Sequence, residues 1–270
     1  MPMTAPHQNP LLVVTGGAGR IGTFYRAWLA GEQDGAPEAQ PWRVRLVDLR
    51  EPSGARPGDE LTVGNAADMA NLDAARDAVT GAHTVLHLAA DPSPVADFYE
   101  SLLDRNIKAT YNILHAATEA GVKRVVFASS VNAVNGYPVS RQSRASDVPF
   151  PGNVYGASKA WGEAVCAAFV AQSNGTFSAI AIRIGGVTAR EAVNLEVNAE
   201  TQAFRVTYHD LARLFDACVS GAPHVTFAVV NGISNNRYLR MDLEETRQLV
   251  GYHPQDDAFA LAEENAGRTR

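Results

Sequence analysis

Short apolar runs alternate with longer amphipathic segments along most of the chain. The runs that predict strands lie at 11–15, 44–47, 84–88, 124–128 and 179–184. The segments with helical spacing of apolar residues lie at 21–29, 68–79, 102–120 and 155–170. Near-continuous apolar strands that alternate with helices indicate a parallel sheet covered by helices on both faces. We therefore predict an α/β fold with a doubly wound parallel sheet.

The pattern changes after Ile184. The remaining part contains a polar stretch, a helix, a strand and a second helix, at 188–201, 209–219, 225–230 and 242–250 respectively. The chain has no internal repeat and no low-complexity linker. We therefore expect one domain over 1–270, with a core at 10–185 and a small lobe formed mainly by 186–270.

Composition and charge exclude several classes of protein. The 270 residues are 46% hydrophobic and 19% charged, as expected for a globular chain with a sizeable core. A net charge of −6 leaves no basic face for nucleic acid. No apolar stretch approaches the ~18 residues that span a bilayer, and the polar start does not resemble a signal peptide, so we expect no membrane association. Cys166 and Cys218 lie in apolar surroundings without metal-ligand spacing, which favours reduced thiols in a cytoplasmic protein.

A glycine-rich motif follows the first predicted strand. Gly16, Gly19 and Gly22 form GxxGxxG where the strand passes into a helix. Such glycines permit a tight turn, a close approach of the backbone to a pyrophosphate and close packing of helix on strand. The motif alone is a weak signal, and a tight turn without a ligand is the alternative interpretation. Its position between a strand and a helix favours dinucleotide binding.

The order of several motifs resembles the extended short-chain dehydrogenases/reductases of the NAD-dependent epimerase/dehydratase family. The motifs are TGGAGRIG (15–22), VDL (47–49), HLAA (87–90), YNILHAA (111–117), FASS (127–130) and YGASK (155–159). RIG at 183–185 and LVGYHPQDD at 249–257 are most similar to uronate (hexuronate) dehydrogenases. The resemblance covers nearly the whole chain.

The resemblance implies a Rossmann-type core over 10–185, a substrate lobe after it, NAD as cofactor and a homodimer. It also implies oxidation of a hydroxyl of a free sugar or sugar acid, as in the conversion of an aldose or uronate to a lactone. A sugar epimerase or carbonyl reductase of the same family is the alternative enzyme. A non-catalytic dinucleotide-sensing protein is a third possibility, and the tyrosine–lysine pair described next argues against it.

Tyr155 and Lys159 are four residues apart, so a helix places them on one face. A lysine ammonium one turn away, together with the positive nicotinamide ring, favours the phenolate, which can take a proton from a substrate hydroxyl. A surface pair without function is the alternative. The resemblance assigns the catalytic serine to Ser129 or Ser130, and Ser130 matches the second serine of the family motif. Val131 and Asn132 depart from that motif.

Asp48 ends the second predicted strand, where a carboxylate accepts the ribose hydroxyls and repels a 2′-phosphate. This predicts NAD over NADP, although Arg20 and Arg50 nearby could meet a phosphate. The expected cofactor-binding residues are Gly16, Gly19, Arg20, Ile21, Gly22, Asp48, Leu49, Asn65, Ala66, Leu88, Ala89, Ala90, Asn106, Ser129, Tyr155, Lys159 and Ile184.

The substrate is expected to be small and to lack a nucleotide, because the segment after Ile184 is short for a lobe that grips a sugar nucleotide. A uronate carboxylate would need a guanidinium, for which Arg190 and Arg205 are candidates, although either could simply be solvated. The candidate substrate residues are Ser93, Ser130, Asn132, Arg190 and Arg205. The scattered histidines do not form a ligand motif, so we expect no metal.

Overall fold

The computed structural model describes residues 9–38 and 40–268 of the chain. Within these residues, the main sheet has seven parallel strands in the order β3-β2-β1-β4-β5-β6-β9. The strands are β1 (Leu11–Thr15), β2 (Arg43–Asp48), β3 (Glu60–Val63), β4 (Thr84–His87), β5 (Arg124–Ser130), β6 (Ser178–Ile184), β7 (Gly186–Thr188), β8 (Arg205–Thr207) and β9 (Phe227–Gly232). The predicted doubly wound α/β fold is confirmed.

The central strands are apolar on both faces because each face is covered by helices. All residues of β1 and β5 are buried. In β1, Leu12 and Val14 belong to one hydrophobic cluster, and Leu11 and Val13 belong to the other. Successive side chains of a strand point to opposite sides of its sheet, so the two clusters are the cores above and below the sheet. This double burial explains the continuous apolar runs in the sequence.

The helices connect these strands. They are α1 (Arg20–Leu29), α2 (Leu72–Val79), α3 (Ala109–Glu119), α4 (Val154–Gln172), α5 (Ala199–Gln202), α6 (Tyr208–Val219), α7 (Glu244–Val250) and α8 (Ala258–Arg268). The helix predicted at 68–79 begins only at Leu72, because Asn71 caps it by accepting from the N–H groups of Asp73 and Ala74. The long helix predicted at 102–120 consists of a wide π-helical segment, Phe98–Lys108, which continues as α3.

Sequence periodicity missed the edge strand β3, the short strands β7 and β8, and helices α5 and α8. β7 and β8 pair with each other in a separate parallel sheet, with Gly186 opposite Arg205. The strand predicted at 225–230 is displaced to Phe227–Gly232 and joins the main sheet beside β6. Part of the C-terminal segment therefore completes the core: β9 extends the main sheet, and Leu214 and Phe215 of α6 join the hydrophobic cluster on one of its faces. None of the helices in the described ranges is long and apolar enough to cross a membrane.

Candidate active site and dinucleotide cleft

A cleft of about 790 Å³ opens at the carboxyl ends of the central strands. Its lining comes from the segments that follow β1, β2, β3, β4, β5 and β6, and from α3, α4 and the β7–β8 unit. In open parallel sheets, ligands bind at this edge, where the chain crosses to opposite sides of the sheet. The cleft is therefore the candidate site.

The glycine loop forms one wall of the cleft. Gly16 has a φ of +73°, and a Cβ on it would lie 2.8 Å from the backbone nitrogen of Ala89. A Cβ on Gly22 would lie 2.6 Å from the carbonyl oxygen of Gly16. Gly19 precedes the first turn of α1 and has no side-chain cap, so the free N–H groups of that turn are available to an anion. Gly19, Ile21 and Gly22 line the cleft as predicted.

Asp48 lies at the end of β2 and lines the cleft together with Leu49 and Arg50. Its Oδ2 accepts from the N–H of Ala18 at 2.9 Å, and its Oδ1 accepts from the N–H of Arg50 at 3.0 Å. These two bonds hold the carboxylate beside the glycine loop. The exposed side chains of Arg20 and Arg50 flank it.

Asn65, an expected cofactor contact, lies in a 3-10 turn, Gly64–Ala67, and this contact stays a prediction. The end of that turn and the segment after it line the cleft with Ala67, Asp68, Met69 and Ala70. The amide of Asn112 in α3 donates to the carbonyl oxygens of Met69 and Ala70, each at 3.0 Å. At the wall of the cleft that follows β3, the carboxylate is therefore that of Asp68.

Leu88, Ala89 and Ala90 line the middle of the cleft, as predicted. The N–H of Ala89 donates to Thr15 Oγ1 at 3.2 Å, and that hydroxyl lies 2.7 Å from Nδ1 of the buried His87. Burial lowers the pKa of His87 to about 3, so its ring is neutral at neutral pH. The His87 ring and the Thr15 hydroxyl therefore hold in place the backbone at Ala89, which lines the cleft.

Asn106, an expected cofactor contact, supports the wall of the cleft through hydrogen bonds. Its Oδ1 accepts from the N–H of Asp91 at 2.8 Å, and its Nδ2 donates to the carbonyl oxygen of Asp91 and to Ser158 Oγ, each at 3.1 Å. Asn106 thereby attaches the segment after β4 to α4. Its neighbour Arg105 and, one turn later, Ala109 do line the cleft.

Tyr155, Lys159 and Ser130 meet at the β5 end of the cleft. The Lys159 ammonium donates to the carbonyl oxygen of Ala128 at 2.9 Å and lies 5.7 Å from the centre of the Tyr155 ring. Ser130 and Tyr155 both line the cleft, and the Ser130 hydroxyl is close enough to lower the pKa of Tyr155. Ser130 Oγ also accepts from the N–H and from the side-chain amide of Asn132, each at 3.2 Å. Three elements, β5, the turn after it and α4, therefore position one catalytic cluster.

Burial shifts the pKa of both titrating groups of this cluster toward the uncharged form. Burial lowers the pKa of Lys159 to about 8. Burial raises the pKa of Tyr155, the hydrogen bond from Ser130 opposes that rise, and the negative charge of Asp91 adds to it. The lysine alone therefore does not generate a phenolate in this pocket, and a further positive charge is needed.

The Ser129 hydroxyl is engaged away from the cleft. It donates to Glu163 Oε1 at 2.6 Å, and the buried Glu163 carboxylate accepts two bonds from Arg183, each at 2.9 Å. Ser129 lines the cleft, but its side chain belongs to this buried ion pair. Ser130 is thus the serine whose hydroxyl meets Tyr155.

The candidate substrate residues divide into two groups. Ser130 and Asn132 line the cleft, whereas Ser93, Arg190 and Arg205 do not. Arg190 pairs with Asp256 at 2.8 Å and Asp34 at 3.2 Å. The Arg190 side chain therefore ties the lobe together. Arg205 lies in β8 directly after the lining residue Phe204, and its buried Nε has no hydrogen-bond partner among the described residues. The substrate contacts expected of the two arginines stay predictions.

Several lining residues were missed by the sequence reasoning, namely Asp68, Met69, Ala70, Asp91, Pro92, Arg105, Val187, Phe204 and Tyr208. Because Asp91 directly follows the HLAA motif at the end of a buried strand, the sequence could have predicted it as a lining residue. Phe204 and Tyr208 are placed by the β7–β8 unit, and the sequence shows no local pattern for it. Within 9–38 and 40–268, no three His, Cys, Asp or Glu side chains form a group able to hold a metal ion.

The fold and cleft define a Rossmann-type dinucleotide-binding protein with a serine–tyrosine–lysine cluster. A family model described as the NAD dependent epimerase/dehydratase family matches residues 12–210, and the chain belongs to this family. The family's cofactor is NAD, and the residues of the cleft fit it: a glycine cradle that a Cβ would fill, an uncapped helix start and a fixed carboxylate at the end of β2.

Relatives and solved structures resemble the chain over nearly its whole length. It is 30% identical to the NAD-dependent glucose-6-phosphate dehydrogenase of Haloferax volcanii, over 92% of this chain and 94% of that protein. It is 32% identical to the uronate dehydrogenase of Agrobacterium fabrum, over 93% of this chain and 86% of that protein. The crystal structure of uronate dehydrogenase from Agrobacterium tumefaciens superposes with a TM-score of 0.80 at 29% identity, covering 97% of this chain and 90% of that one.

Proposed function

We propose that this protein is an NAD-dependent dehydrogenase that oxidises a hydroxyl of a free sugar or sugar acid, in the manner of an aldose or uronate converted to its lactone. The observation that carries the proposal is the meeting of Ser130, Tyr155 and Lys159 at one end of the dinucleotide cleft. The printed activities of the relatives, which act on glucose 6-phosphate and uronates, support the substrate class.

NAD⁺, when bound, supplies the hydride acceptor and a positive charge at the nicotinamide end. The substrate carbon loses its hydrogen as hydride, and its hydroxyl loses a proton to the Tyr155 oxygen, so that a carbonyl is left. The proton then passes from Tyr155 to solvent. A hydride leaves the substrate carbon and a proton leaves its oxygen, so general-base catalysis is required on the hydroxyl side only.

Ser130 and Lys159 prepare Tyr155 for this role. The hydroxyl of Ser130 stabilises the phenolate by hydrogen bonding, and Asn132 fixes the position of that hydroxyl. The Lys159 ammonium is anchored on the carbonyl oxygen of Ala128, and its positive charge favours the phenolate. Removing the Lys159 charge is expected to raise the apparent pKa of the base still further.

Three residues of the C-terminal segment, Val187, Phe204 and Tyr208, line the cleft. Tyr208 stacks on Phe24 of α1, with ring centres 5.2 Å apart. These contacts support the proposal that the segment at 186–270 serves mainly as a substrate lobe over the core at 10–185.

The experiment is a panel of aldoses, uronates and simple secondary alcohols, incubated with the purified protein and NAD. Nicotinamide absorbance should change with a free sugar or sugar acid. An epimerase would interconvert a sugar without net reduction of NAD, which product chromatography would detect. A sugar nucleotide that is turned over while free sugars and uronates are inert would contradict the proposal.

A homodimer is proposed as the assembly. Tyr111 of α3 is 46% exposed, stacks on His115 and packs edge-on against Phe169 of α4, with ring centres 5.8 and 5.7 Å apart. This aromatic face on adjacent helices supports a partner surface, and light scattering with size-exclusion chromatography measures the mass. The cytoplasm is proposed as the compartment, supported by the free, buried thiols of Cys166 and Cys218.

A further inference from the structure

Asn132 lies where the chain departs from the serine motif, between the two elements that carry the catalytic cluster. It belongs to the turn after β5, two residues beyond Ser130. The start of α4 packs directly on this turn, since a Cβ on Gly156 would lie 2.1 Å from the carbonyl oxygen of Asn132. Tyr155 directly precedes Gly156. The contact between the turn and the helix therefore brings the serine and the tyrosine together.

Two further asparagine side chains hold the Asn132 amide. The Nδ2 of Asn135 donates to Asn132 Oδ1 at 2.8 Å, and the Nδ2 of Asn153 donates to the same oxygen at 2.9 Å. The N–H of Gly152 donates to Asn135 Oδ1 at 2.9 Å, and the N–H of Gly156 donates to Asn153 Oδ1 at 2.7 Å. We call Asn132, Asn135 and Asn153 the asparagine network.

The two backbone N–H groups determine how each amide of the network is oriented. A backbone N–H can only donate, so the atom that it meets on Asn135 or Asn153 is the side-chain oxygen. The NH2 groups of both side chains therefore face Asn132, where they meet its oxygen. The NH2 group of Asn132 consequently faces Ser130. The orientation of this last amide is thus fixed by the protein before a substrate arrives.

This orientation leaves the Ser130 hydroxyl with one role. Its Oγ accepts from the N–H and from the Nδ2 of Asn132, each at 3.2 Å. A serine oxygen accepts two hydrogen bonds and donates one, so these two bonds occupy both of its lone pairs. The Ser130 hydroxyl is close enough to Tyr155 to lower the pKa of that phenol. Its proton is therefore free to be donated toward the Tyr155 oxygen or toward the reacting oxygen of a substrate beside it.

We propose that Asn132 is a positioning residue which, through the asparagine network, makes Ser130 a permanent hydrogen-bond donor to the catalytic base. A donor stabilises the charged phenolate more than the neutral phenol, so the network favours the form of Tyr155 that takes the proton. Without the Asn132 amide, the Ser130 hydroxyl could rotate and accept from the phenol instead. The inference rests on the proposed dehydrogenase function and concerns the base of that reaction.

The first test titrates Tyr155 in the complex with NAD and needs no substrate. The ultraviolet difference absorbance of the phenolate, taken against Tyr155→Phe, separates this residue from the other tyrosines. Asn132→Ala removes the side-chain donor to Ser130, and we expect the pKa of Tyr155 to rise by about one unit, as for the loss of one hydrogen bond to a charged group. The acid limb of the profile of kcat against pH should move in the same direction. A general packing defect would instead lower kcat at every pH and leave this pKa unchanged.

A double-mutant cycle separates this role from a direct contact of Asn132 with the substrate. Below the pKa, a rise of one unit leaves about a tenth of the phenolate, so Asn132→Ala should lower kcat about tenfold at neutral pH. In the Ser130→Ala background the same substitution should lower kcat by less than about twofold, because the amide then has no hydroxyl to orient. Equal factors in the two backgrounds would overturn the proposal, as would an unchanged pKa of Tyr155 in Asn132→Ala.

Asn153→Ser perturbs the network while α4 stays capped. Serine caps a helix about as well as asparagine, but it lacks the NH2 group that holds Asn132. We expect the ratio of phenol to phenolate at Tyr155 to rise at least about threefold. Asn198→Ser is the matched control, because Asn198 is exposed and caps α5 by accepting from the N–H of Thr201 at 2.8 Å. Tyr155 should titrate in this control as in the wild-type protein.

The two proposals fail in different ways. A pKa of Tyr155 that stays the same or falls in Asn153→Ser would show that the network does not orient Ser130. Absence of NAD reduction with every sugar, sugar acid and alcohol would instead overturn the proposed function, whereas the titration in the complex with NAD alone decides whether Ser130 is held as a donor to Tyr155.

Discussion

Opposing interactions act on the pKa of the Tyr155 hydroxyl. Burial and the Asp91 carboxylate favour the phenol, whereas the Ser130 hydrogen bond and the Lys159 ammonium favour the phenolate. The balance lies with the phenol in the protein alone. The positive charge that NAD⁺ brings on binding therefore gives the site a way to activate its base only when the cofactor is in place.

Replacement of Tyr155 by phenylalanine keeps the ring and removes the proton acceptor. We expect kcat to fall by about 10²-fold or more, because general-base catalysis contributes on this order, while the dissociation constant for NAD stays within about twofold. Steady-state kinetics and a fluorescence titration with NADH measure the two quantities. Tyr238→Phe, at an exposed tyrosine outside the cleft, is the control. A near-native kcat would remove Tyr155 from the mechanism.

Asp48 governs the choice between NAD and NADP. Asp48→Ala removes a negative charge between the exposed Arg20 and Arg50 and also loses the bond to the N–H of Ala18. We expect NAD to bind more weakly and the ratio of kcat/KM for NADP to that for NAD to rise at least about tenfold. Asp77→Ala on the exposed face of α2 should leave the ratio unchanged. A wild-type preference for NADP would show that the assignment of Asp48 is wrong.

At the scale of elements, α4 combines chemistry and architecture on one face. Tyr155, Lys159 and Glu163 are spaced by four residues and point toward β5 and β6. Glu163 pairs with Arg183 of β6, which also donates to the carbonyl oxygens of Arg144, Ala145 and Asp147. The helix, two strands and the loop at 144–147 are thereby joined by one buried ion pair.

Glu163→Gln should destabilise the protein by roughly 3–5 kcal/mol, because it leaves the buried guanidinium of Arg183 without its countercharge. Glu263→Gln breaks an exposed pair with Arg237 and should leave the free energy of unfolding nearly unchanged. The side chains of the first pair are 4% and 2% exposed, against 59% and 43% for the second, so the two substitutions isolate the effect of burial. Urea unfolding measures both, and equal losses would contradict this account.

The elements that the sequence predicted are those with a strong local signal. Strands buried on both faces have continuous apolar runs, and Tyr155 and Lys159 are four residues apart, so both could be predicted. β3 lies at the edge of the sheet with half-exposed residues, and its pattern is correspondingly weak. Arg190 finds its partners 66 and 156 residues away, so nothing near it in the chain could show that it is committed to them.

At the scale of the whole molecule, His87 connects three elements through its ring. Nδ1 meets Thr15 of β1 and Nε2 lies 3.4 Å from Thr110 of α3. The ring also stacks on Phe127 of β5. Because this buried histidine is neutral in the folded protein, the free energy of unfolding depends on pH in the acidic range.

The pKa of His87 is about 3 in the folded state and 6.5 ordinarily, so only the unfolded chain takes up this proton between those values. The free energy of unfolding should therefore fall by roughly 3–5 kcal/mol from this group as pH drops from above 6.5 toward 3. His87→Gln cannot titrate and should lack this contribution. The difference between the two proteins, measured by urea unfolding at several pH values, isolates it. A difference that does not vary with pH would contradict the assignment.

Asp48 and Tyr155 are held by different parts of the fold, which has a consequence for how this enzyme can change. The N–H groups of Ala18 and Arg50 hold Asp48, whereas the cluster of Tyr155 and Lys159 is built on α4 and anchored on β5. Free-energy effects of substitutions at independent sites add. Tyr155→Phe should therefore lower kcat by the same factor in Asp48→Ala as in the wild-type protein, within about twofold. Evolution, and protein engineers, can thus exchange the coenzyme of this scaffold without rebuilding its catalytic cluster.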